Sequence, residues 1–442
     1  MAYFSQREMP FLPPMTTLII GGGWSGLAAA VTLVQQGQQV HLIESAKQLG
    51  GRARNVEWQG NTLDNGQHLM IGAYRQLLTM MTEIGIDLDT AFHRTVMDIT
   101  VYDTDYSPLK LSAKGCLPSA LSLAWHLIQS VGFKGFYQVA KLQASLNKTL
   151  SNKDISVSEW LHNTQQSSRL IKQLWQPLCL AALNTDIDEA SAHLLAKVLQ
   201  DSLGGKASDA DLLIPRVPLG DLFPTAAANY IQQLGGTIQL QTRAKQLLIT
   251  DDKVQGVITQ KGDTLLADNI IIATSPSQYA DLLPNSNPVY KPKEYPIYTV
   301  YLQYDPATRL GSPMVGMSGT LCQWLFDRSE QTPGLMAVVI SAKGQHETMT
   351  KEALIAQVSQ EIYQLIPTMP KHGFIIKEKR ATFACTVDIE QYRPTNKTTI
   401  DGLWLAGDFV ANGYPATLEG AIRNGKHCAQ AIFNQVNSVI IA

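Results

Sequence analysis

The sequence predicts an α/β fold: a Rossmann-like domain assembled from separate stretches of chain, together with a mixed α+β domain. Three observations predict it. An apolar β-type run, Thr16–Ile20, passes through a glycine turn into a helix rich in alanine and leucine. Near the other terminus a short apolar run, Leu403-Trp404-Leu405-Ala406, ends in Gly407-Asp408 and leads to a second helix. Between the two, helix-period stretches across residues 158–203 give way to strand-like runs at 295–304 and 334–340.

At 442 residues the chain is too long for one core. At roughly 100–200 residues per domain, the motif layout favours two. Hydrophobic residues make up 45% and charged residues 16%, ordinary for a globular protein, and a net charge of −2 creates no field for a polyanion. Nucleic acid is therefore not an expected partner. The five cysteines, Cys116, Cys179, Cys322, Cys385 and Cys428, form no Cys-x-x-Cys pair, and no His-x-x-x-His pair occurs, so no metal site is predicted. Scattered and odd in number, these cysteines fit a reducing cytoplasm. Residues 1–14 carry no apolar run of the signal-peptide kind. No stretch approaches the ~18 uninterrupted apolar residues of a spanning helix.

The strand Thr16–Ile20 opens directly on Gly21-Gly22-Gly23-Trp24-Ser25-Gly26, and residues 27–36 continue as helix. A second β-type run, Gln39–Ile43, ends on Glu44. This is G-x-G-x-x-G in the strand, turn and helix context that gives it meaning. Gly21 makes the tight turn, Gly23 admits a pyrophosphate close to the backbone, and Gly26 lets the helix pack on the strand. The helix amino end, with Trp24 and Ser25 in its first turn, offers free N–H groups and a positive dipole end to phosphate. Glu44 can accept hydrogen bonds from ribose hydroxyls, and its charge argues against a 2′-phosphate. The fingerprint by itself does not separate FAD from NAD.

Leu49-Gly50-Gly51-Arg52-Ala53-Arg54 resembles the G-G-R segment of the amine oxidase and isoprenoid desaturase superfamily of flavoproteins, whose cofactor is FAD. That resemblance implies a discontinuous, GR2-type FAD-binding domain in which Arg52 and the backbone of Gly50 and Gly51 lie along the phosphates. A guanidinium there supplies charge that the first helix only partly provides. Gly407-Asp408 and Pro415-Ala416-Thr417-Leu418-Glu419-Gly420-Ala421 resemble the carboxy-terminal motif of the same superfamily. By that resemblance Asp408 meets the ribityl and phosphate region. The helix opening near Thr417 and Leu418 and running to about Asn434 points its amino end at the flavin, where it stabilises negative charge on a reduced ring. Residues 237–249 and 254–260 read as strands of a meander. In the family the segment matching Thr242-Arg243-Ala244 passes the adenine, so Ala244 is the candidate backbone contact. The FAD domain is thus drawn from residues 1–85, 216–288 and 395–442, and the substrate domain from 86–215 and 289–394.

The string Leu63-Asp64-Asn65-Gly66-Gln67-His68-Leu69-Met70-Ile71-Gly72-Ala73-Tyr74, taken with the blocks above, is similar to the hydroxysqualene dehydroxylase family, squalene-associated FAD enzymes of bacterial hopanoid pathways. The blocks agree in order and spacing over nearly the full chain, while the middle third carries little that matches. The resemblance implies reductive removal of the hydroxyl of hydroxysqualene to give squalene, with hydride from reduced FAD quenching an allylic cation. Hydroxide is a poor leaving group, so such a site must protonate it or hydrogen-bond it strongly. The pocket must also be dry, because water would capture the cation. His68 is the candidate proton donor and Asp64 the second choice, since the family places this segment near the isoalloxazine. Gly66 and Gln67 are expected to position the flavin. No second nucleotide fingerprint is visible, so an external electron donor or reductase is implied.

Residues 116–139 include Leu117, Leu121, Leu123, Trp125, Leu127, Ile128, Val131, Phe133, Phe136 and Tyr137. Such a run serves either as core or as a surface that meets lipid. The second use would place a cytoplasmic protein peripherally at the inner face of the cell membrane, close to a long isoprenoid substrate.

Other readings share parts of this pattern. A carotenoid-type desaturase carries a similar motif at Tyr414 and the residues after it. An amine oxidase is disfavoured by Thr417, which stands where monoamine oxidases place an aromatic cage wall. A non-enzymatic prenyl-lipid carrier of the same architecture has no need of Glu44, Arg52 and Asp408 together. No Gly-x-Ser-x-Gly elbow of a triad hydrolase occurs.

Overall fold

The computed structural model describes residues 15–114, 119–283 and 290–441. Cys116 and Leu117 of the apolar run, and the domain seam expected at 288/289, lie outside the described residues.

Five parallel strands form one sheet in the order Thr237–Gln239, Gln39–Ile43, Thr16–Ile20, Asn269–Ile272, Leu403–Leu405. Residues 18–20 and 270–272 of its two central strands, Thr16–Ile20 and Asn269–Ile272, are unbroken apolar runs, as expected where a parallel sheet is covered on both faces. Side chains alternate accordingly: Leu18, Ile20, Ile270 and Ile272 enter one core, while Ile19, Leu42, Ile271 and Trp404 enter another. The helix Trp24–Gln35 covers the second face. Every residue from Trp24 to Val34 is buried, since the helix lies between the sheet and the carboxy-terminal helix Leu418–Ile441. A Cβ at Gly425 would stand 2.1 Å from the Ser25 carbonyl oxygen, so glycine at that position sets how closely the two helices cross.

The expected meander is corrected in one respect: residues 237–249 do not form a single strand. Thr237–Gln239 pairs with Gln39–Ile43 at the edge of the parallel sheet. The break falls at Gln241, which takes φ +52. The chain resumes as Ala244–Thr250 in a three-stranded antiparallel sheet with Lys253–Thr259 and Thr264–Leu266. The Gln241 N–H donates to the Ala46 carbonyl (3.0 Å) and the Thr242 N–H to the Glu44 carbonyl (2.9 Å), which fastens the break to the loop after the second parallel strand.

A seven-stranded sheet runs in the order His372–Phe383, Glu294–Gln303, Leu335–Ser341, Trp324–Asp327, Met314–Ser318, Asp98–Asp103, Leu109–Ser112. Its pairs are antiparallel except between Met314–Ser318 and Asp98–Asp103. Pro296 brings no N–H to this ladder. The register jumps across it, from Tyr295 opposite Thr382 to Ile297 opposite Glu378, so the facing strand bulges between 378 and 382. A bulge re-aims the side chains it carries.

Helices pack beside these sheets. The long helix Ser119–Ser151 breaks at Gly132, whose φ of +72 favours glycine. Ser156 and Ser191 cap Val157–Asn163 and Ala192–Leu203, accepting from the Glu159 N–H (3.2 Å) and the Leu194 N–H (3.1 Å). The helix Gln176–Leu183 follows a π turn, Ile171–Trp175, and ends on Asn184 at φ +47. The Asn184 amide donates to Thr382 Oγ1 (2.9 Å) and accepts from the Ala342 N–H (2.6 Å), so the helix end is tied to the bulged strand. A hairpin of Asn55–Trp58 and Asn61–Asp64 turns on Gln59 and Gly60, both at positive φ, as a two-residue primed turn requires. Among the described residues no helix is long and apolar enough to cross a membrane.

Candidate active site

One cavity of about 940 Å³ gathers residues from both ends of the chain. It is lined by Gly21, Gly23, Trp24 and Ser25, by Glu44, and by Gly50, Gly51 and Arg52. Gly66, Gln67 and His68, then Ala244, then Gly407, Asp408, Thr417 and Leu418 complete the predicted residues on its wall. Gly26 and Asp64 do not line it.

The glycines explain themselves by what a side chain would meet. Gly21 sits at φ +113, and a Cβ there would lie 2.7 Å from the Ala273 carbonyl oxygen. A Cβ at Gly26 would lie 2.1 Å from the Gly21 oxygen, so Gly26 serves helix-on-strand packing behind the wall. At Gly23 a Cβ would meet only Gly51 Cα, 4.0 Å away, and would stand in the cavity itself. Gly50 donates its N–H to the Gly22 carbonyl (2.9 Å), and Gly51 follows at φ +60, which interleaves the two glycine turns. Gly23 caps the first helix without a side chain, leaving first-turn N–H groups for a ligand. Two hydroxyls on the wall, Ser25 Oγ and Thr274 Oγ1, are buried with no hydrogen-bond partner. Donors over a cradle without side chains fit the pyrophosphate of FAD. Trp24 holds the turn from behind: its Nε1–H donates to the Ala53 carbonyl (3.1 Å) and its ring packs on Phe223 at 4.9 Å.

Glu44 anchors the neighbouring loop as well as facing the cavity. Its Oε2 accepts from the Gly22 N–H (2.7 Å) and its Oε1 from the Ala46 N–H (2.7 Å). A carboxylate has about four acceptor sites, so capacity is left for a ribose hydroxyl. Ala244 stands near it because the Thr242 N–H is bonded to the Glu44 carbonyl.

Arg52 reaches the cavity already paired. Its Nη2 donates to Asp408 Oδ1 (2.6 Å) and its Nη1 to the Ala381 carbonyl (2.7 Å). Burial works against its charge, but Asp408, with Glu294 and Glu378 nearby, outweighs burial and holds the guanidinium above its ordinary value. The guanidinium expected along the phosphates is also paired with a carboxylate. Asp408 is held in turn by Arg393, which sequence reasoning missed. The buried Arg393 guanidinium donates to the carbonyls of Asp408 (2.7 Å), Val410 (2.7 Å) and Tyr414 (2.8 Å). Gly407 donates its N–H to Asn424 Oδ1 (3.0 Å), a second missed anchor.

Thr417 caps the carboxy-terminal helix, accepting from the Gly420 N–H at 3.1 Å. Thr417, Leu418 and Ala421 all line the cavity, so this helix presents its positive end to it. Glu419, one residue on, points elsewhere. It is buried and accepts from the N–H groups of Gln76 (3.1 Å) and Leu77 (2.9 Å), which caps the helix Arg75–Glu83, and it pairs with Arg423 at 2.7 Å.

At His68 the geometry fixes a tautomer. Nδ1 lies 2.9 Å from the Gly66 oxygen, and a carbonyl can only accept, so Nδ1 carries the hydrogen and Nε2 is left for a ligand. Burial, with help from the Arg52 charge, pushes the imidazole below its ordinary pKa, against a smaller opposing effect of the Gly66 bond. Gln67 donates from Nε2 to the Tyr301 hydroxyl (2.6 Å), which donates to the Asp64 carbonyl (2.8 Å). The Asp64 carboxylate stands behind this wall, accepting from the Leu219 N–H (2.7 Å) with Arg328 Nη2 at 3.7 Å. Burial pushes it up to about 6. Asp64 therefore supports the wall and does not join the groups that face the cavity.

The bulge opposite Pro296 supplies the part of the wall that the sequence did not reveal. Glu378, Arg380, Ala381 and Thr382 all line the cavity, and Glu378 Oε2 accepts from Asn65 Nδ2 at 3.0 Å. The one available signal was Pro296 inside an otherwise regular strand run. Among the described residues no cluster of His, Cys, Asp or Glu could hold a metal ion.

Known proteins resemble this chain in sequence and in fold. The pattern of the family described as flavin containing amine oxidoreductase matches residues 24–433. The chain is 30% identical to a hydroxysqualene dehydroxylase of Rhodopseudomonas palustris, over 94% of this chain and 98% of that one. It is 28% identical to the hydroxysqualene dehydroxylase of Sinorhizobium fredii, over 96% and 100%. A 15-cis-phytoene desaturase of Glycine max is 23% identical, over 95% of this chain and 80% of its own length. Among solved structures, cyclohexylamine oxidase from Brevibacterium oxydans shares the fold with a TM-score of 0.72 at 18% identity, over 96% of this chain and 100% of the other.

Proposed function

The chain belongs to the flavin containing amine oxidoreductase family and within it stands with the hydroxysqualene dehydroxylases; on that premise we propose that it removes the hydroxyl of hydroxysqualene reductively, giving squalene. It is an FAD-dependent oxidoreductase. In the proposed reaction a C–O bond breaks, the oxygen takes up a proton and leaves as water, and a hydride takes its place at carbon. FAD, bound and reduced, supplies that hydride, and an external donor or reductase restores the two electrons.

One observation carries the reading: Gln67 and His68 line the same cavity as the glycine cradle and the helix end at Thr417 and Leu418. In this reading His68 holds a proton at Nε2 for the leaving oxygen. Because burial lowers its pKa, the protonated ring is a stronger acid than an ordinary histidine. Leu69, Ala182, Leu282 and Ile297 add apolar wall that limits water beside a developing cation. Glu44 accepts from the ribose, the first-turn N–H groups and Ser25 bind phosphate, and the Arg52–Asp408 pair fixes the centre of the cofactor. Residues 1–85, 216–288 and 395–442 hold the FAD, and 86–215 with 289–394 take the long isoprenoid. We place the protein in the cytoplasm, peripherally at the inner face of the cell membrane.

The likeness to 15-cis-phytoene desaturases favours a second reading, oxidative desaturation of a carotenoid precursor. Two incubations separate them: reduced enzyme with hydroxysqualene in the absence of oxygen, and oxidised enzyme with phytoene. The proposal expects squalene from the first and unchanged phytoene in the second. Desaturated product without squalene would reverse the assignment.

A further inference from the structure

Four of the large apolar side chains that face solvent fall on one helix. On Ser119–Ser151, Leu121 is 57% exposed, Trp125 54%, Phe133 78% and Tyr137 68%. Phe133, Tyr137, Ala140 and Ala144 recur at the spacing of one helical face and are all exposed, while Leu142 and Leu146 on the opposite side are buried in the core. Leu121 and Trp125 continue exposed apolar surface on the other side of the break at Gly132.

Charge on the same segment is one-sided. From Tyr106 to Lys153 the sequence contains no aspartate or glutamate, yet it carries Lys110, Lys114, Lys134, Lys141, Lys148 and Lys153. Lys134, Lys141 and Lys148 recur every seven residues and so lie in a line beside the apolar face. Lys134, Lys148 and Lys153 are exposed, whereas Lys141 is half-buried and donates to Gln165 Oε1 (2.8 Å). In a chain whose net charge is −2 this segregation is a local feature.

We infer that this face docks on the surface of a bilayer rich in anionic phospholipid. The aromatic and leucine side chains enter the headgroup boundary, and the flanking lysines meet the lipid phosphates. The helix lies on the membrane and does not span it. This gives the proposed peripheral contact a face and a lipid chemistry, and it does not depend on which reaction the cavity performs.

Flotation with sealed vesicles tests it, using phosphatidylglycerol mixed with phosphatidylcholine against phosphatidylcholine alone. The wild type is expected to float with the anionic vesicles and to be released by salt. Phe133→Glu with Tyr137→Glu is expected to stay at the bottom, with unchanged flavin content, unchanged melting temperature and unchanged turnover of detergent-dispersed substrate. At ~1 kcal/mol per lysine, Lys134→Gln with Lys148→Gln weakens anionic partitioning roughly thirtyfold. Equal flotation of wild type and the double-glutamate variant overturns the inference. So does a wild-type dimer in light scattering that the same variant converts to monomer, since a second copy would then own the face. The turnover assay is a separate readout, so loss of docking and loss of the proposed reaction are told apart.

Discussion

Arg52 Nη2 stands 2.6 Å from Asp408 Oδ1, joining the glycine turns of the amino-terminal region to the carboxy-terminal motif across the rim of one cavity. The contact joins residues 356 positions apart in the sequence. Arg52 keeps 35% of its side chain exposed and Asp408 only 8%. Solvent therefore screens the pair, and breaking it should cost about 1–2 kcal/mol, less than a fully buried pair. Arg52→Ala, Asp408→Ala and the double variant, compared by urea unfolding, should be non-additive, with the double costing little more than either single. Additive losses would show that the two side chains stabilise the protein independently.

Glu44→Ala should weaken FAD binding by about ten- to a hundredfold, because it removes a charged acceptor worth about 1.5–3 kcal/mol and also frees the Gly22 and Ala46 N–H groups. Titration of the apoprotein followed by flavin fluorescence measures this directly. An unchanged affinity would remove Glu44 from the ribose site.

Replacing His68 by Gln should leave the flavin spectrum intact and slow dehydroxylation by about 10²-fold or more, the usual scale for a positioned proton donor. The wild-type rate should fall as pH rises through the depressed pKa of His68, below the ordinary 6.5, because only the protonated ring carries the transferable proton. A His68→Gln enzyme with wild-type turnover, or a rate that climbs with pH over that range, would contradict the assignment.

Asp64 predicts a pH dependence of stability with the opposite sense to a salt-bridged carboxylate. Its folded pKa, about 6, lies above the ordinary 3.8, so the folded state holds this proton more tightly than the unfolded chain. The contribution is fully present below 3.8 and is lost as pH rises through 6, a change of about 3 kcal/mol at ~1.36 kcal/mol per unit. Asp64→Asn should therefore match the wild type near pH 4 and exceed it in stability above pH 6. A variant less stable than wild type at neutral pH would mean that Arg328 needs the charge of Asp64.

Much of this site was legible because its chemistry lies in consecutive residues. Gly21, Gly23 and Glu44 belong to one strand, helix and strand unit, and Thr417 and Leu418 open one helix, so local spacing already implied their juxtaposition. The wall formed by Glu378, Arg380 and Thr382 was not legible, because it depends on a register jump at Pro296 between strands far apart in sequence. Arg393 and Asn424 escaped notice for a related reason: they bond backbone groups of the 407–414 loop and carry no pattern of their own. Glu419 sits inside a recognised motif yet caps a helix elsewhere, and only its burial reveals that use. The break at Gln241 likewise depends on two backbone bonds to the Glu44 loop, which strand periodicity does not encode.

We propose that hydroxysqualene loses its hydroxyl in the cavity lined by the glycine turns, His68 and Thr417. The decisive measurement is a single turnover in deuterium oxide, with prereduced enzyme, no oxygen and hydroxysqualene as the only acceptor. One squalene carrying one deuterium is expected for each flavin reoxidised, since a reduced flavin in this solvent would supply deuterium in place of hydrogen. Flavin that stays reduced while hydroxysqualene is recovered unchanged would contradict it.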